Sequence, residues 1–271
     1  MPDPRSVPVT VPAVRASKRR DGHPPLVMVT AYDAPGARVA DGAGVDLILV
    51  GDSVGNNVLG YEDSLQVTVE DMAHHTAAVA RARPRPLIVA DLPWLSYHLD
   101  PVDTVRNAAT LIRAGAQAVK LEGGANRVPM IEALVSAEIP VMGHLGLTPQ
   151  SVNVMGGYRV QGRDDAAAHA LTVGAKAIVA AGCFAVVLEG IPERVGAAIT
   201  ESLEVPTIGI GAGPACDGQV LVFHDLLGFN ATVPKFVRRY AELGDLATAA
   251  VAAYAADVRS GAFPADAEVY H

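Results

Sequence analysis

Ionisable side chains stand at the ends of consecutive short apolar runs in this 271-residue sequence. The residues at these ends are Asp52, Asp91, Lys120, Glu122, His144 and Glu189. A single Asp in such a place is most often a helix cap or a turn residue. Successive runs are harder to explain in this way, because an unpaired charge beside a buried apolar segment is costly. The pattern therefore indicates one functional site.

Three of these residues are carboxylates that could share a cation. Asp52, Asp91 and Glu122 provide hard oxygen ligands, and at one site their charges repel unless a cation joins them. Mg²⁺ is the simplest partner, because it keeps coordination positions for a 2-oxo acid that binds through its keto and carboxylate oxygens. The alternative is that Asp52 and Asp91 only cap helices.

The other three residues have the types that bind an anion or move protons. Lys120 lies in the apolar segment Ala118–Leu121, where it either neutralises a substrate carboxylate or forms a structural pair with Glu122. His144 is a proton shuttle, a hydrogen-bond donor or a core histidine, and the residues alone leave these alternatives open. Glu189 ends an apolar run, where desolvation would raise its pKa toward the value that a general base requires. A helix cap or a surface residue is the other interpretation of Glu189.

The apolar runs alternate with Ala-rich segments in the rhythm of βα units. Most runs are continuously apolar, which is typical of strands buried on both faces of a parallel sheet. The predicted strands are Leu26–Thr30, Asp46–Val50, Pro86–Ala90, Ala118–Leu121, Pro140–Gly143, Ala185–Leu188, Pro206–Ile210 and Gln219–Val222. The predicted helices are Val69–Arg83, Pro101–Ala114, Asn126–Ala137, Asp165–Ala181, Pro192–Leu203 and Arg238–Arg259. This order predicts an α/β fold, a (β/α)8 barrel, in which catalytic groups lie where strands pass into the following loops.

An open doubly wound sheet is the alternative fold, and it needs a G-x-G-x-x-G turn after the first strand. Here that turn is Ala31-Tyr32-Asp33-Ala34-Pro35, so the barrel is favoured. We expect one catalytic barrel domain over residues 26–271, after an extension of residues 1–25 that contains a short helix near Val11–Arg20. The segment Leu145–Asp164 is long and Gly-rich, as is typical of lids and binding loops.

Composition excludes several classes of protein. The net charge of −8 argues against a general nucleic-acid binder and against binding to an anionic membrane surface. The sequence has no apolar run of about 18 residues that could span a membrane, and no secretory signal. Cys183 and Cys216 form neither a disulfide framework nor a zinc motif, so we interpret them as packing residues of a protein in a reducing cytoplasm. His74 and His75 are adjacent on a predicted helix and are interpreted as structural.

Several longer motifs run through the chain from Val9 to the C-terminus, and Gly143–Arg163 is the most specific stretch. The motifs are Thr30–Asp33, Gly51–Ser53, Val67–Val69, Ala90–Pro93, Lys120–Gly124, Gly143–Asn153, Gly156–Tyr158, Val160–Arg163, Leu188–Glu189, Ile208–Gly213, Asp217–Gln219 and Pro234–Phe236. With them the sequence resembles the ketopantoate hydroxymethyltransferase family. The resemblance implies a barrel of the phosphoenolpyruvate/pyruvate-binding superfamily.

The resemblance also implies an activity: transfer of a hydroxymethyl group from 5,10-methylenetetrahydrofolate to 3-methyl-2-oxobutanoate, giving 2-dehydropantoate in pantothenate biosynthesis. It further implies assembly into a homodecamer. The site residues that it implies are Asp52 and Asp91 for Mg²⁺ and substrate, Glu122 for Mg²⁺, Ser53 and Lys120 for the substrate carboxylate, and Glu189 as the proton acceptor.

Two other function classes stay open. One is a Mg²⁺-dependent C–C lyase or mutase of the same superfamily that acts on a small 2-oxo acid, although such lyases often use a Cys in a loop after a strand and neither cysteine has this position. The other is a non-catalytic binding barrel, which would be expected to lack at least one of the site residues. The sequence departs from the family pattern at Asn56, Asn57 and Gln66, all in the loop after the second strand, so the shape of that loop stays open.

Overall fold

Eight parallel strands form a closed barrel in the computed structural model, which describes residues 7–19 and 22–271. Each strand pairs with the next along the chain, and β8 closes the barrel on β1. The (β/α)8 prediction is therefore confirmed. The strands are β1 Leu26–Thr30, β2 Leu47–Val50, β3 Leu87–Asp91, β4 Ala118–Glu122, β5 Val141–Gly146, β6 Ala185–Glu189, β7 Thr207–Ile210 and β8 Gly218–Leu221.

The chain divides into two compact units, residues up to Val222 and residues Phe223–His271. The first unit contains the complete barrel. Its helices are α1 Val11–Arg15, α2 Ala34–Ala43, α3 Val69–Arg81, α4 Pro101–Ala114, α5 Val128–Ser136, α6 Val152–Met155, α7 Asp165–Ala180 and α8 Glu193–Ser202. The second unit has α9 Phe223–Leu226 and α10 Leu243–Ser260. The single domain expected over residues 26–271 stays a prediction, and residues 1–6 and 20–21 of the expected extension lie outside the described residues.

The strands are apolar because both of their faces are covered. Every residue of β2, β3, β4, β5 and β7 is buried. Side chains such as Leu47, Val89 and Met142 pack together in the core of the barrel. A barrel core of this kind is filled by branched side chains and leaves no pore, so polar groups can gather only at its ends.

The helix ends follow the local signals in the sequence. Thr68 caps α3 through a hydrogen bond from the Asp71 backbone amide, and Asp71 bonds back to Thr68. Asp100 caps α4 by accepting from the Asp103 amide at 2.9 Å. Gly115 ends α4 with φ +115°, where a side chain would collide with Ala80. Threonine, aspartate and glycine are the residue types that commonly occupy these positions.

The structure also contains features that the sequence pattern did not predict. Helix α2 was not expected, although Asp33 caps it through the Gly36 amide at 2.7 Å and Gly44 ends it in the left-handed region. Strand β5 continues to Gly146, so His144 lies within the strand rather than after it. Helix α10 begins at Leu243 and not at Arg238. The loop before this helix is held by backbone hydrogen bonds, such as the one from the Tyr240 amide to the Leu226 carbonyl.

The segment before β1 is fixed to the end of the barrel where the strands begin. Val14 packs into the barrel core. Lys18 is buried, and its Nζ donates to Asp217 Oδ2 and to the Thr200 carbonyl, each at 2.7 Å. The Thr207 amide also donates to Asp217, at 2.9 Å. A buried carboxylate of this kind depends on its donors, because it cannot be solvated by water.

We predict that Lys18→Met destabilises the protein by about 3–5 kcal/mol, because it leaves Asp217 buried without its cation. Urea unfolding would measure this loss. The matched control is Arg15→Met, which removes an exposed cation from the same segment and should change the free energy of unfolding by less than about 0.5 kcal/mol. Equal effects of the two substitutions would contradict the prediction.

Candidate active site

The six ionisable residues singled out in the sequence meet at the end of the barrel where the strands finish. Strand register explains much of this arrangement. Asp91 is the partner of Lys120 in the β3–β4 pair, and Glu122 is the partner of His144 in the β4–β5 pair. Because strands in a parallel barrel all finish at the same end, residues far apart in sequence become neighbours there.

Lys120 lies between two of its predicted neighbours. Its Nζ is 3.0 Å from Asp91 Oδ1 and 3.2 Å from His144 Nδ1. The sequence suggested Glu122 as a partner for Lys120. In the structure Lys120 forms its ion pair with Asp91 instead. Burial lowers the pKa of Lys120, but the negative charges of Asp91, Glu122 and Asp52 raise it by more. The pKa of Lys120 therefore lies above its ordinary value. The side chain therefore supplies a permanent positive charge inside the site.

His144 spans the distance between two glutamates. Its Nδ1 is 3.3 Å from Glu122 Oε1, and its Nε2 is 3.2 Å from Glu189 Oε2. Burial and Lys120 lower the pKa of His144, whereas Glu122 and Glu189 raise it, to about 9. The ring therefore lies between Glu122 and Glu189, and its Nδ1 is also close to the Lys120 ammonium group. Its catalytic role stays a prediction.

The surroundings of Asp52 disfavour a negative charge. It follows β2, is buried, and its backbone amide donates to Asp91 Oδ2 at 3.1 Å. Burial, with repulsion from Asp91 and Glu122, raises the pKa of Asp52 to about 8. By contrast, burial raises the pKa of Glu122, but its neighbours His144 and Lys120 bring it below the ordinary value. Burial also raises the pKa of Asp91, so Asp52 and Asp91 are the carboxylates that an additional cation would stabilise.

Ser53 and Glu189 lie at the edges of this buried group. The Ser53 side chain is half-buried, and its Oγ is 2.8 Å from the Tyr32 hydroxyl. Glu189 retains 17% exposure of its side chain, while the other carboxylates are buried. Of the carboxylates predicted for the site, Glu189 is therefore the one that faces solvent while remaining in contact with the group.

Two residues that the sequence analysis did not select, Gln150 and Tyr97, belong to the same cluster. Gln150 Nε2 donates to Asp52 Oδ2 at 2.8 Å, and its backbone amide donates to Glu122 Oε2 at 3.1 Å. The Tyr97 hydroxyl donates to Gln150 Oε1. Neither residue is ionised near neutral pH, so a search for charged side chains at strand ends misses both. The only signal was the position of Gln150 within the long segment after β5.

The residues interpreted as structural lie elsewhere or serve packing. His75 Nδ1 is 2.7 Å from the Tyr32 carbonyl oxygen, so it supports the backbone after β1. Cys183 and Cys216 are buried, and burial raises the pKa of both thiols. No helix within residues 7–19 and 22–271 is long and apolar enough to cross a membrane.

The donor set has the composition that a hard cation requires. Asp52 Oδ1 accepts no hydrogen bond from any described residue, while Oδ2 is held by Gln150. Across the same described residues, no three His, Cys, Asp or Glu side chains converge into a complete metal cage. Mg²⁺ usually binds one or two carboxylates together with water and substrate oxygens rather than such a cage, so the pair Asp52 and Asp91 fits it.

We predict that Asp52→Asn stabilises the metal-free protein in a pH-dependent way. Asp52 loses its proton near 3.8 when unfolded and near 8 when folded, so between these values folding takes up a proton and wild-type stability falls as the pH rises. Asn does not titrate. The advantage of the variant in urea unfolding with EDTA should therefore grow up to about pH 8 and then level off.

The control for this experiment is Asp165→Asn, since the Asp165 side chain is 99% exposed. Its stability difference from wild type should not depend on pH over the same range. A constant difference for Asp52→Asn as well would show that the Asp52 carboxylate is already ionised without a metal.

Comparison with known proteins agrees with this geometry. A search of solved structures finds phosphonopyruvate hydrolase in complex with oxalate and Mg²⁺, with a TM-score of 0.63, 14% identity, and coverage of 96% of this chain and 91% of that one. It also finds 2,3-dimethylmalate lyase, a member of the PEP mutase/isocitrate lyase superfamily, with a TM-score of 0.61 and 18% identity over 96% of this chain and 91% of that one. These matches show the barrel fold.

Sequence comparison is more specific. The chain is 60% identical over 259 residues to the 3-methyl-2-oxobutanoate hydroxymethyltransferase of Methylobacterium sp. (strain 4-46), covering 95% of this chain and 88% of the relative. It is 57% identical to 3-methyl-2-oxobutanoate hydroxymethyltransferase 2 of Bradyrhizobium diazoefficiens, covering 97% of this chain and 89% of the relative. The family model for ketopantoate hydroxymethyltransferase matches residues 8–266. The chain belongs to the ketopantoate hydroxymethyltransferase family.

Proposed function

We propose that this chain transfers a hydroxymethyl group from 5,10-methylenetetrahydrofolate to 3-methyl-2-oxobutanoate and so forms 2-dehydropantoate for pantothenate biosynthesis. The observation that carries the proposal is the convergence of Asp52, Asp91, Lys120 and Glu189 at one end of the barrel. Membership of the family supports the same reaction. The reaction needs an anion site, a cation site and a base in contact, and this group contains all three.

Asp52 and Asp91 are the residues that would hold Mg²⁺, with Glu122 as an adjacent negative charge. Both oxygens of Glu122 are engaged by protein donors, Oε1 by His144 and Oε2 by the Gln150 amide. Asp52 Oδ1 and Asp91 are therefore the better direct ligands. When bound, the ion polarises the keto group of the substrate and so makes its C3 hydrogen more acidic.

The substrate carboxylate would lie against Lys120 and Ser53. Lys120 is buried and held by Asp91, so its charge is fixed in position and does not have to be ordered when substrate binds. The substrate contacts these two residues while its C3 hydrogen faces Glu189. This places the reacting carbon at the side of the site that is partly open to solvent.

Glu189 then takes the C3 proton, which leaves an enolate. The enolate carbon forms a bond to the methylene carbon of the folate, and both carbon–nitrogen bonds of that methylene break. Water supplies the hydroxyl of the new hydroxymethyl group, and the two folate nitrogens take up the proton removed from C3 and the second proton of the water. His144 Nε2 lies 3.2 Å from Glu189 Oε2, close enough to stabilise that carboxylate as an ion pair. Tetrahydrofolate is the second product.

The observations give less support to the alternative function, a lyase or mutase. Solved structures with such names resemble this chain at 16–21% identity, a level that shows the fold alone. Cys183 and Cys216 are buried and precede β6 and β8, so neither stands in a loop at the reactive end of the barrel. Cleavage of a 2-oxo acid without folate would favour this alternative.

We also propose a cytoplasmic homodecamer. The two unpaired cysteines suit a reducing compartment. In the second unit, α10 has no buried residue and exposes Leu246, Val251 and Tyr254, side chains that an assembly could cover. Light scattering of the purified protein would measure its mass.

The direct test is an assay with Mg²⁺, 3-methyl-2-oxobutanoate and 5,10-methylenetetrahydrofolate. We expect ketopantoate to form, and EDTA to abolish its formation. A correctly folded protein that forms no ketopantoate would contradict the proposed function.

We predict that Glu189→Gln lowers turnover by about 10²- to 10⁴-fold, the usual contribution of a general base. Exchange of the substrate C3 hydrogen in D₂O, followed by NMR, should be lost while substrate and Mg²⁺ binding stay nearly unchanged. The control is Glu193→Gln, which changes an exposed glutamate at the start of α8 and should leave exchange intact. Retained exchange in Glu189→Gln would transfer the role of base to His144.

A further inference from the structure

Gln150 joins the long segment after β5 to the carboxylates of the site. It lies in a single turn of 3-10 helix, Pro149–Ser151, and is 5% exposed. Its side chain reaches Asp52, which follows β2, and its backbone amide reaches Glu122 at the end of β4. One residue therefore fixes two carboxylates that come from different strands.

The contacts of Gln150 determine which way its amide points. Asp52 Oδ2 and the Leu92 carbonyl oxygen are both acceptors, at 2.8 and 3.0 Å, so the NH₂ group must face them. Tyr97 faces the carbonyl side of the amide. Its hydroxyl oxygen accepts from the Glu122 amide at 3.2 Å, which leaves its one proton to be donated to Gln150 Oε1 at 2.5 Å. A reversed amide would place its oxygen against two acceptors and its NH₂ group against the Tyr97 hydroxyl proton.

Tyr97 is itself held in place. It is completely buried, and the Arg127 guanidinium lies 5.3 Å from the centre of its ring. Burial, together with the charge of Glu122, raises the pKa of Tyr97 well above its usual value, so its hydroxyl keeps the proton that it donates. The chain of contacts from Tyr97 to Gln150 to Asp52 therefore has only one arrangement of donors and acceptors.

This chain fixes the orientation of the Asp52 carboxylate. Gln150 occupies Oδ2, and Oδ1 is left without a hydrogen bond among the described residues. Without Gln150 the carboxylate would rotate about its last bond, and the plane in which it presents its oxygens to a cation would no longer be fixed. Groups that hold a metal ligand in this way commonly change metal affinity by about 10- to 100-fold when they are removed.

We infer that Gln150 is a positioning residue that sets Asp52, and through it the pair Asp52 and Asp91, in the orientation that binds Mg²⁺, with Tyr97 setting the amide of Gln150. The inference rests on the proposed function, because it presumes that this pair binds the ion. On this inference the segment after β5 holds the carboxylates of the site through Gln150, whether or not the segment also covers the substrate.

The test measures Mg²⁺ binding to the metal-free protein by titration calorimetry, in parallel with kcat and KM. Gln150→Met keeps the length of the side chain and removes both donors. We expect its Kd for Mg²⁺ to rise about 10- to 100-fold, and part of the lost activity to return at saturating Mg²⁺. Tyr97→Phe removes the group that orients the amide and leaves both donors present, so it should raise the Kd in the same direction but less.

The matched control is Gln161→Met, the same change in the same segment. The Gln161 side chain donates only to the Arg159 carbonyl, at 2.8 Å, and its loss should leave the Kd for Mg²⁺ unchanged. If Tyr97 acts through Gln150, the double variant should bind Mg²⁺ no more weakly than Gln150→Met alone. Thermal unfolding of each variant without metal identifies any that fail to fold, and Tyr97→Phe decides the question if Gln150→Met does not fold.

An unchanged Kd in folded Gln150→Met, or in folded Tyr97→Phe if Gln150→Met does not fold, would overturn the inference and leave the proposed function intact. A multiplied loss in the double variant would overturn the link through Tyr97. Wild-type protein that neither binds Mg²⁺ nor forms ketopantoate would contradict the proposed function itself, and the role of Gln150 with it.

Discussion

Mutual repulsion of buried carboxylates is the constraint on which the rest of the site depends. Asp52, Asp91 and Glu122 lie together away from water, where ionisation of all three is unfavourable. Lys120 and His144 offset part of this cost, and their own pKa values are raised in return. Burial still raises the pKa of Asp52 and of Asp91. A divalent cation held by these two residues would stabilise their charged form.

The barrel makes this arrangement possible because the contacts that stabilise the fold and the charged residues of the site lie in different parts of it. Apolar strands fill the interior, and the buried pair Lys18–Asp217 secures the N-terminal segment at the end where the strands begin. Charges can then accumulate at the opposite end without disturbing the core. Strand register places Asp91 beside Lys120 and Glu122 beside His144, so the chain positions these side chains through backbone pairing rather than through loops.

Several elements could be predicted because their causes are local. The strands were visible as continuous apolar runs, and the caps Thr68, Asp100 and Gly115 act on backbone groups only a few residues away. Helix α2 was missed even though Asp33 and Gly44 mark its ends, because the segment after β1 was considered only as a possible dinucleotide-binding turn. Gln150 and Tyr97 were missed for a different reason: their importance comes from partners far away in the sequence.

The sequence by itself determined the fold class, the ends of most strands and helices, and the set of ionisable residues at the strand ends, since each of these depends on residue type and short-range spacing. The tertiary structure alone decided the partners. Lys120 pairs with Asp91 and not with Glu122, His144 lies between two glutamates, and Gln150 holds Asp52. These choices depend on the register of neighbouring strands and on where a loop returns to the barrel, which short-range spacing does not encode.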